Sequence, residues 1–342
     1  MVNDSEPARF RWIWGAIGLA VVFLASFMIG RFPVAPHQVA AILASQVLPI
    51  DPFWPAEAAT IVLKVRLPRI LAAMLVGAAL SSSGAAFQGV FRNPMVSPDI
   101  LGVAAGAGFG ASLAILAGLS GAGIQAAAFV CGLAAVAVTY GIGRWQGNQG
   151  GGVLVMVLAG IIVGTVFAAG ISLVKYVADP ANTLPAITFW LMGSLASVTS
   201  RDLGVAALPV LLGLAQLHLL RWRLNLLSFG DDEARALGVD VGKTRLVVIV
   251  AATLMTASSV AISGVIGLVG LVVPHLARML VGPNYRILLP TCSLLGAGFL
   301  LAVDDLARSL SAGEVPLGIL TSLLGAPFFL ALLVNIRKGW AS

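Results

Sequence analysis

The sequence is poor in the residues that build soluble surfaces, disulfide frameworks and metal sites. Charged residues make up 10% of its 342 residues, against roughly 25% in ordinary globular chains. It holds two cysteines and three histidines. Cys131 and Cys292 both lie in apolar runs, and the histidines are scattered, so no disulfide framework and no metal-ligand spacing is present. This composition excludes a soluble globular protein and a disulfide scaffold, and it offers no metal site.

Sequence motifs for catalysis are missing as well. There is no HExxH motif, no carboxylate pair inside an apolar run and no Ser/His/Asp set. The segment 238–244 looks like a phosphate-binding loop, but three residues separate its glycines where the working pattern needs four. Mid-membrane ionisable residues, which couple ions to transport, are also scarce, with Asp304 and Asp305 the nearest candidates. A membrane-embedded enzyme and an ion-coupled secondary transporter therefore stay as the alternatives to the function inferred below.

Long apolar runs are what the sequence has in abundance. Hydrophobic residues reach 59% of the chain, and a membrane-spanning helix needs about 20 of them in a row. Runs free of Asp, Glu, Lys and Arg predict an all-α polytopic membrane bundle of ten transmembrane helices in a single domain, residues 1–342. The predicted spans are 12–30, 70–91, two within 100–143 that turn at 118–123, 153–174, 203–220, two within 246–277 that turn near 263–264, 287–303 and 315–336. A long outer loop is expected at 31–65, and residues 183–198 predict a short helix outside the membrane.

The basic residues predict the orientation of the bundle. With the N-terminus inside, 13 of the 20 Lys and Arg residues fall on the cytoplasmic side, which the positive-inside rule favours. Both termini are then cytoplasmic. The net charge of +6 follows from this bias and does not indicate nucleic acid. Of the outer basic residues, Arg308 lies four positions after Asp304, the spacing of a local ion pair within a helix.

The cytoplasmic loop 221–245 is the most polar segment between spans. Residues 231–237 predict a short helix with acidic residues in its first turn, and Gly238 would end it as a C-terminal glycine. Ala234, Ala236 and Leu237 give it apolar contact surface. A short capped helix at this face is suited to docking a partner protein, although a solvated connector would show the same pattern.

Three ordered blocks of sequence make the chain resemble the FecCD family, the membrane subunits of ABC importers. The first block runs from Arg66-Leu-Pro-Arg69 through Gln88-Gly89 and Asn93-Pro94-Met95 to Pro98-Asp99, the second is Ala234-Arg235-Ala236-Leu237-Gly238-Val239, and the third runs from Ile266-Gly267-Leu268 through Pro274-His275 to Gly313-Glu314 and Gly325-Ala326-Pro327-Phe328. The resemblance covers nearly the whole chain. It is specific for the family and not for the cargo.

The resemblance implies a type II ABC importer permease with ten helices per subunit in a bacterial inner (plasma) membrane. Two subunits, identical or paired relatives, would form a central pathway that works by alternating access. A cytoplasmic ATPase dimer would bind ATP-Mg, and a periplasmic or lipid-anchored substrate-binding protein would deliver the cargo. The chain itself would bind no cofactor and catalyse no reaction. The cargo is expected to be, in decreasing order, an iron-siderophore, haem, cobalamin or an oxyanion.

The resemblance also implies roles for particular residues. A cytoplasmic gate would be formed by Asn93, Pro94 and Met95, and a second gate element, which cannot be matched residue by residue, would fall in 147–152. The residues expected to dock the binding protein are Arg66, Arg69 and Arg308. Alternatively, these arginines would pair with lipid headgroups or with groups in their own loop. The residues expected to couple to the ATPase are Asp231, Asp232, Glu233, Ala234, Arg235, Ala236, Leu237 and Gly238.

Overall fold

The chain folds into a bundle of α-helices in a computed structural model that describes residues 5–30, 32–147, 152–311 and 313–339. The helices are α1 (Ser5–Ser26), α2 (Pro36–Ala44), α3 (Ala56–Thr60), α4 (Leu67–Val90), α5 (Val103–Leu116), α6 (Gly121–Gly147), α7 (Gly152–Val177), α8 (Thr183–Met192), α9 (Ser200–Phe229), α10 (Asp231–Ala236), α11 (Val241–Ser263), α12 (Val269–Val281), α13 (Tyr285–Leu310) and α14 (Leu317–Gly339). A π-helical turn, Ile61–Arg66, joins α3 to α4, and a 3-10 helix, Pro98–Leu101, precedes α5. No strand occurs among the described residues, so the all-α prediction is confirmed.

Within the described ranges, six helical segments are long and apolar enough to cross a membrane. They are Ala56–Val90, Gly121–Trp145, Val153–Val177, Ser200–Phe229, Val241–Ser263 and Tyr285–Leu310. Shorter apolar helices cover Ile13–Ser26, Val103–Leu116, Thr183–Met192, Val269–Val281 and Leu317–Ala331. The charge-free runs 100–143 and 246–277 each fold into two helices with a turn where the glycines predicted one.

The core of the bundle is built around α4 and α11. The segment α3 to α4 is one helix of 35 residues, and 83% of its most apolar stretch is buried. The corresponding value is 78% for α11 but 22% for each of α6, α7 and α9. The helix α4 packs most extensively on α13, and it also contacts α11, α12 and α9. The weakly buried helices therefore turn most of their surface outward.

Glycines set how closely α4 approaches its neighbours. A Cβ atom placed on Gly77 would collide with the carbonyl oxygen of Gly296 in α13, and one on Gly84 would collide with that of Gly270 in α12. Lipid tails are as apolar as leucine, so helices in a bilayer associate through close van der Waals packing. These two crossings let α4 contact both partners backbone to backbone.

The reversal between α11 and α12 also depends on a glycine. Gly264 has a φ of 68°, and a side chain there would meet the carbonyl oxygen of Trp190 in α8. The neighbouring Ser194 N–H donates to the Ser263 carbonyl oxygen at 2.8 Å, and Leu317 N–H donates to the Gly193 oxygen at 2.9 Å. The short helix α8 is thus fixed to the ends of α11 and α14.

Two predicted loops are smaller than expected. Much of the predicted loop 31–65 is helical, because α2, α3 and the start of the π-helical turn lie within it. At the other end, α9 continues to Phe229 and α11 begins at Val241, so the predicted loop 221–245 shrinks to residues 230–240. Counting the residues between charges measures the length of an apolar run and not the length of a helix. Arginine favours helices and can extend its charged end to water, so Arg221 and Arg223 end the apolar run without ending the helix.

Replacing Gly84 with alanine should destabilise the bundle, because the added methyl group forces α4 and α12 apart. Overpacking of this kind costs about 1–3 kcal/mol. The matched control is Gly141→Ala in α6, where an added Cβ has no atom within 4 Å and unfolding should be unchanged or slightly later. Thermal unfolding in detergent, followed by tryptophan fluorescence, measures both. Equal unfolding temperatures for the two variants would contradict the close packing.

Candidate functional site

The short helix α10 stands in the connection between α9 and α11. Carboxylates fill its first turn, residues 231–233, where they are favoured by the helix dipole. Gly238 follows with a φ of 80°. Its N–H donates to the Arg235 carbonyl oxygen and the Val239 N–H donates to that of Ala234, both at 2.9 Å, which is the Schellman arrangement. The prediction of a short helix ended by Gly238 is confirmed.

One side of α10 is fastened to the bundle and the other is free. Ala234 is fully buried, and Arg245 Nη2 of α11 binds Asp231 Oδ1 at 2.9 Å. Asp240 caps α11 by accepting the Lys243 N–H at 2.9 Å, and this bond and the Lys243 side chain hold the pKa of Asp240 below its ordinary value. The exposed residues of the segment are Asp232, Glu233, Arg235, Ala236, Leu237 and Gly238. Their surface is open to a partner.

The predicted gate residues lie on the same side of the molecule, after the end of α4. Asn93, Pro94 and Met95 are exposed, and Asn93 Oδ1 accepts the Met95 N–H at 2.9 Å. A Cβ on Gly270 would meet Pro98, so the chain beyond this turn is packed against α12. The role of these residues as a gate stays a prediction. Most of the second predicted gate element, 148–151, lies outside the described residues.

The three arginines predicted to dock a binding protein come together at the opposite end of α4. Arg66, Arg69 and Arg308 line one cavity of about 210 Å³ together with Glu314. Their residues are only 4%, 6% and 7% exposed. The side chains point into the protein, so they do not form the exposed rim of charge that a docking surface would use. Their docking role stays a prediction.

Asp304 is the centre of a buried ionic network. Its carboxylate is fully buried and lies 2.9 Å from Arg69 Nη2 and 3.2 Å from Arg308 Nε. Arg69 also donates from Nη1 to Glu314 Oε1 at 3.0 Å. The Asp304–Arg308 ion pair confirms the local pairing expected from their spacing. The long-range partner, Arg69, is 235 residues away in the sequence, and spacing alone could not indicate it.

The same network ties α1 to α13. Ser26 Oγ donates to Asp305 Oδ2 at 2.6 Å, and Arg308 pairs with Asp305 and donates to the Ile29 carbonyl oxygen at 2.9 Å. Each of Arg69, Asp304, Asp305 and Arg308 therefore has an oppositely charged partner. Burial of a charge is costly without such a partner. We infer that this network fixes the packing of α1, α4 and α13 at one end of the bundle.

Arg66 differs from the other two arginines in its partners. Its guanidinium donates to the carbonyl oxygens of Phe27 and Phe32, and no ion pair among the described residues involves it. It also lines the cavity shared with Arg69 and Glu314. Among the described residues, the charge of Arg66 is therefore balanced by peptide carbonyl groups and by no carboxylate.

Metal ligands do not converge anywhere in the described part of the chain. No group of three or more His, Cys, Asp or Glu residues there is placed to hold a metal ion. Cys292 is buried and both cysteines are free thiols.

Replacing Asp304 with asparagine should cost about 3–5 kcal/mol of folding free energy, because it leaves two buried arginines without their shared carboxylate. The control is Asp232→Asn, whose side chain is 94% exposed and whose ion pair contributes about 0–1 kcal/mol. Chemical or thermal unfolding of the purified chain in detergent measures the difference. If the two variants unfold alike, the network does not stabilise the fold.

Comparison with known proteins agrees with this geometry. The chain matches the model of the FecCD transport family over residues 18–335. It is 43% identical over 342 residues to the molybdate import system permease protein MolB of Haemophilus influenzae, covering 99% of both chains. It is 42% identical over 280 residues to the cobalamin import system permease protein BtuC of Halobacterium salinarum, covering 82% of this chain and 74% of the relative.

A solved structure with the same fold supports the match. A metal-chelate type ABC transporter in an inward-facing conformation has a TM-score of 0.84 with this chain at 41% identity. The similarity covers 94% of this chain and 98% of the other. Together with the family match across nearly the whole length, this confirms the resemblance inferred from the three sequence blocks. The chain belongs to the FecCD transport family and is a permease, the membrane component of an ABC transporter.

Proposed function

We propose that this permease imports a metal complex across a bacterial inner membrane, using a separate ATPase for energy and a separate binding protein for capture. The observation that carries the proposal is the short helix α10, which is anchored by Ala234 and Asp231 and is otherwise exposed. A membrane permease that is driven from outside its own chain needs such a rigid, accessible element. The low charge of the spans supports this view, because it leaves little for ion coupling.

Ten membrane spans fit the helices described above. Six long segments and the shorter apolar helices α1, α5, α12 and α14 give that number. The helix α8 has 10 residues, or about 15 Å at 1.5 Å per residue, which falls short of a hydrocarbon core of about 30 Å. An even number of spans places both termini on the same side of the membrane. The positive-inside rule makes that side the cytoplasm.

A second permease subunit is proposed to pack against α7. Exposed residues recur along this helix every three or four positions, which places them in one stripe. They include Leu154, Leu158, Ile161, Ile162, Thr165, Val166, Ser172, Leu173 and Tyr176. A mainly apolar stripe with three hydroxyl groups suits a subunit interface that lines a pathway. Either an identical copy or a related chain would serve.

The exposed surface of α10 is the proposed contact with the ATPase dimer. Leu237 is 61% exposed at its end, beside the carboxylates of Asp232 and Glu233. An apolar side chain surrounded by charges fits a cleft with an apolar floor and a polar rim. Movement of that cleft on ATP hydrolysis would be transmitted through the Asp231–Arg245 ion pair to α11.

The cavity lined by the three arginines is the proposed contact with the binding protein. A carboxylate from the partner that enters this cavity would find Arg66, whose guanidinium has no carboxylate partner among the described residues. Charge pairs of this kind mainly set the rate and orientation of encounter. Arg69 and Arg308 are already paired with Asp304, Asp305 and Glu314, so they would not bind the partner themselves.

The proposed cargo is a metal held inside an organic chelate, such as an iron-siderophore, haem or cobalamin. The chain offers no metal-ligand cluster in its described part, so a metal would have to travel with its own ligands. The similar solved transporter is described as being of a metal-chelate type, and the Halobacterium relative is named as a cobalamin import permease. A molybdate-like oxyanion is the second candidate, since the Haemophilus relative is a molybdate permease matched over 99% of both chains.

Uptake by the reconstituted transporter tests the proposal. The permease, its cognate ATPase and its binding protein are placed in liposomes, and the accumulation of a labelled ferric chelate panel, cobalamin and molybdate is compared. We expect uptake of one chelate that requires both ATP and the binding protein. Uptake of molybdate and of none of the chelates would identify an oxyanion as the cargo. Uptake driven by a proton gradient without the ATPase would overturn the proposal.

Two variants in the same assay test the contacts. Leu237→Asp should abolish ATP-dependent uptake and co-purification of the ATPase, whereas Leu237→Met should retain both.

Arg66→Gln should raise the half-saturating concentration of binding protein about tenfold, and the exposed neighbour Lys64→Gln should leave it unchanged. Size-exclusion profiles check that each variant is folded. Wild-type behaviour of Leu237→Asp or of Arg66→Gln would reject the corresponding contact.

A further inference from the structure

A second cavity lies on the α10 side of the molecule, behind the predicted gate residues. It has a volume of about 200 Å³ and lies where the end of α4 meets α9, α12 and the start of α13. The lining residues are Gln88, Gly89, Arg92, Asn93, Pro94, Ser228, Arg278, Pro283 and Tyr285. Its outer residues are exposed, whereas Gln88, Gly89 and Tyr285 are buried. The cavity is therefore a blind pocket that opens to the surface.

The charge of this pocket is positive and uncompensated. Arg92 and Arg278 line it, and none of the lining residues is a carboxylate. His275, Tyr285 and Cys292 lie near enough to Arg278 to sense its charge. None of these is an anion at neutral pH. Arg278 Nη1 is buried and makes no hydrogen bond, although a buried N–H group ordinarily has a partner. The rest of this half-buried side chain lies within hydrogen-bonding reach of the Tyr285 hydroxyl group.

Gln88 is the second buried group without partners. It is 3% exposed, and neither Nε2 nor Oε1 makes a hydrogen bond. An unsatisfied buried polar group costs about 1–3 kcal/mol, so a side chain with two of them indicates a missing ligand.

The hydrogen bonds around the pocket use its acceptors and leave its donors free. The Gln88 and Gly89 carbonyl oxygens accept the N–H groups of Asn93 and Arg92 at 3.1 and 3.3 Å. The Ala85 carbonyl oxygen accepts the Tyr285 hydroxyl group at 3.0 Å. What remains for a ligand are the guanidinium and amide N–H donors, together with one amide acceptor, Gln88 Oε1. The ligand that complements this set is an anion that can also donate one hydrogen bond.

We propose that this pocket binds a protonated phosphate group. Its oxygens would accept from Arg278 Nη1, Arg92 and Gln88 Nε2, and its P–OH would donate to Gln88 Oε1. The volume equals about seven water molecules at roughly 30 Å³ each, which is room for such a group. Bidentate and charge-assisted contacts from arginine are typical of phosphate recognition. The site rests on the geometry of this chain and not on the proposed cargo or partners.

A bound phosphate would add a polar link between parts of the molecule that are joined here by van der Waals contact and by the hydrogen bonds of Tyr285. Arg92 and Asn93 belong to the turn after α4 that carries the predicted gate residues 93–95 (the gate turn), Arg278 belongs to α12, and Ser228 lies at the end of α9 next to α10. Occupancy would fix the gate turn relative to α12. The phosphate could be free inorganic phosphate or the phosphomonoester headgroup of a lipid, since both offer the same chemistry.

Binding of inorganic phosphate to the full chain in lipid-free detergent micelles tests the site. Calorimetric titration at constant ionic strength should show saturable binding. Sulfate, which carries no proton at neutral pH, should bind at least about tenfold more weakly, because Gln88 Oε1 then has no donor. Arg278→Gln should weaken phosphate binding at least about tenfold. The control Arg286→Gln, an exposed arginine nearby that does not line the pocket, should bind as the wild type does.

A Gln88→Met variant separates binding from a purely structural role. It should lose the preference for phosphate over sulfate, yet unfold no earlier than the wild type in phosphate-free buffer, because it removes an unsatisfied amide. Repeating the titration in nanodiscs with and without phosphatidic acid distinguishes the two sources. Weaker phosphate binding with that lipid identifies the headgroup, and unchanged binding identifies the free ion. Absence of saturable phosphate binding in every medium, or equal binding by Arg278→Gln, overturns the proposal.

Discussion

The backbone-to-backbone packing of α4 is the constraint on which the rest of the structure depends. The helix from Ala56 to Val90 is buried along most of its length, and Gly77 and Gly84 let it touch α13 and α12 without intervening side chains. Helices in lipid gain little from burying apolar surface against each other. Their association therefore needs contact this close, and a single methyl group at these positions would separate them.

This one helix also determines where the functional groups lie. Its 35 residues extend over about 52 Å, beyond a hydrocarbon core of about 30 Å. One end carries Arg66 and Arg69, and the other carries Gln88 and leads to Asn93. Charges that would be costly in mid-membrane are thus placed at the ends of the helix. There the carboxylates of Asp304 and Asp305 or an incoming ligand can balance them.

Much of this fold follows from sequence patterns that have simple physical causes. Apolar run length and glycines predicted the two helix pairs within 100–143 and 246–277, and acidic residues followed by Gly238 predicted α10. The helix ends were predicted less well. Arg221 and Arg223 close an apolar run while remaining helical, so the boundary of a span is not the boundary of its helix.

The sites were only partly predictable for a different reason. The pairing of Arg308 with Asp304 is local and follows from their spacing. The pairing of Arg69 with Asp304, and the meeting of Gln88 with Arg278, join residues that are far apart in the chain. A single sequence carries no signal for such contacts. The resemblance named Arg66, Arg69 and Arg308 as one group, and the structure brings them together, but in a buried network that pattern matching did not indicate.

The close packing of α4 implies a rigid element, relative to which the predicted gate turn and α10 would shift as units during transport. Amide hydrogen exchange of the assembled transporter, with and without ATP, tests this most directly. We predict that the amides of residues 70–90 stay the slowest to exchange in both states. The changes should be confined to residues 92–97, 230–240 and the start of α11, which the Asp231–Arg245 ion pair joins to α10. A change in exchange within residues 70–90 as large as that in residues 92–97 would contradict this prediction, because α4 would then repack during the transport cycle.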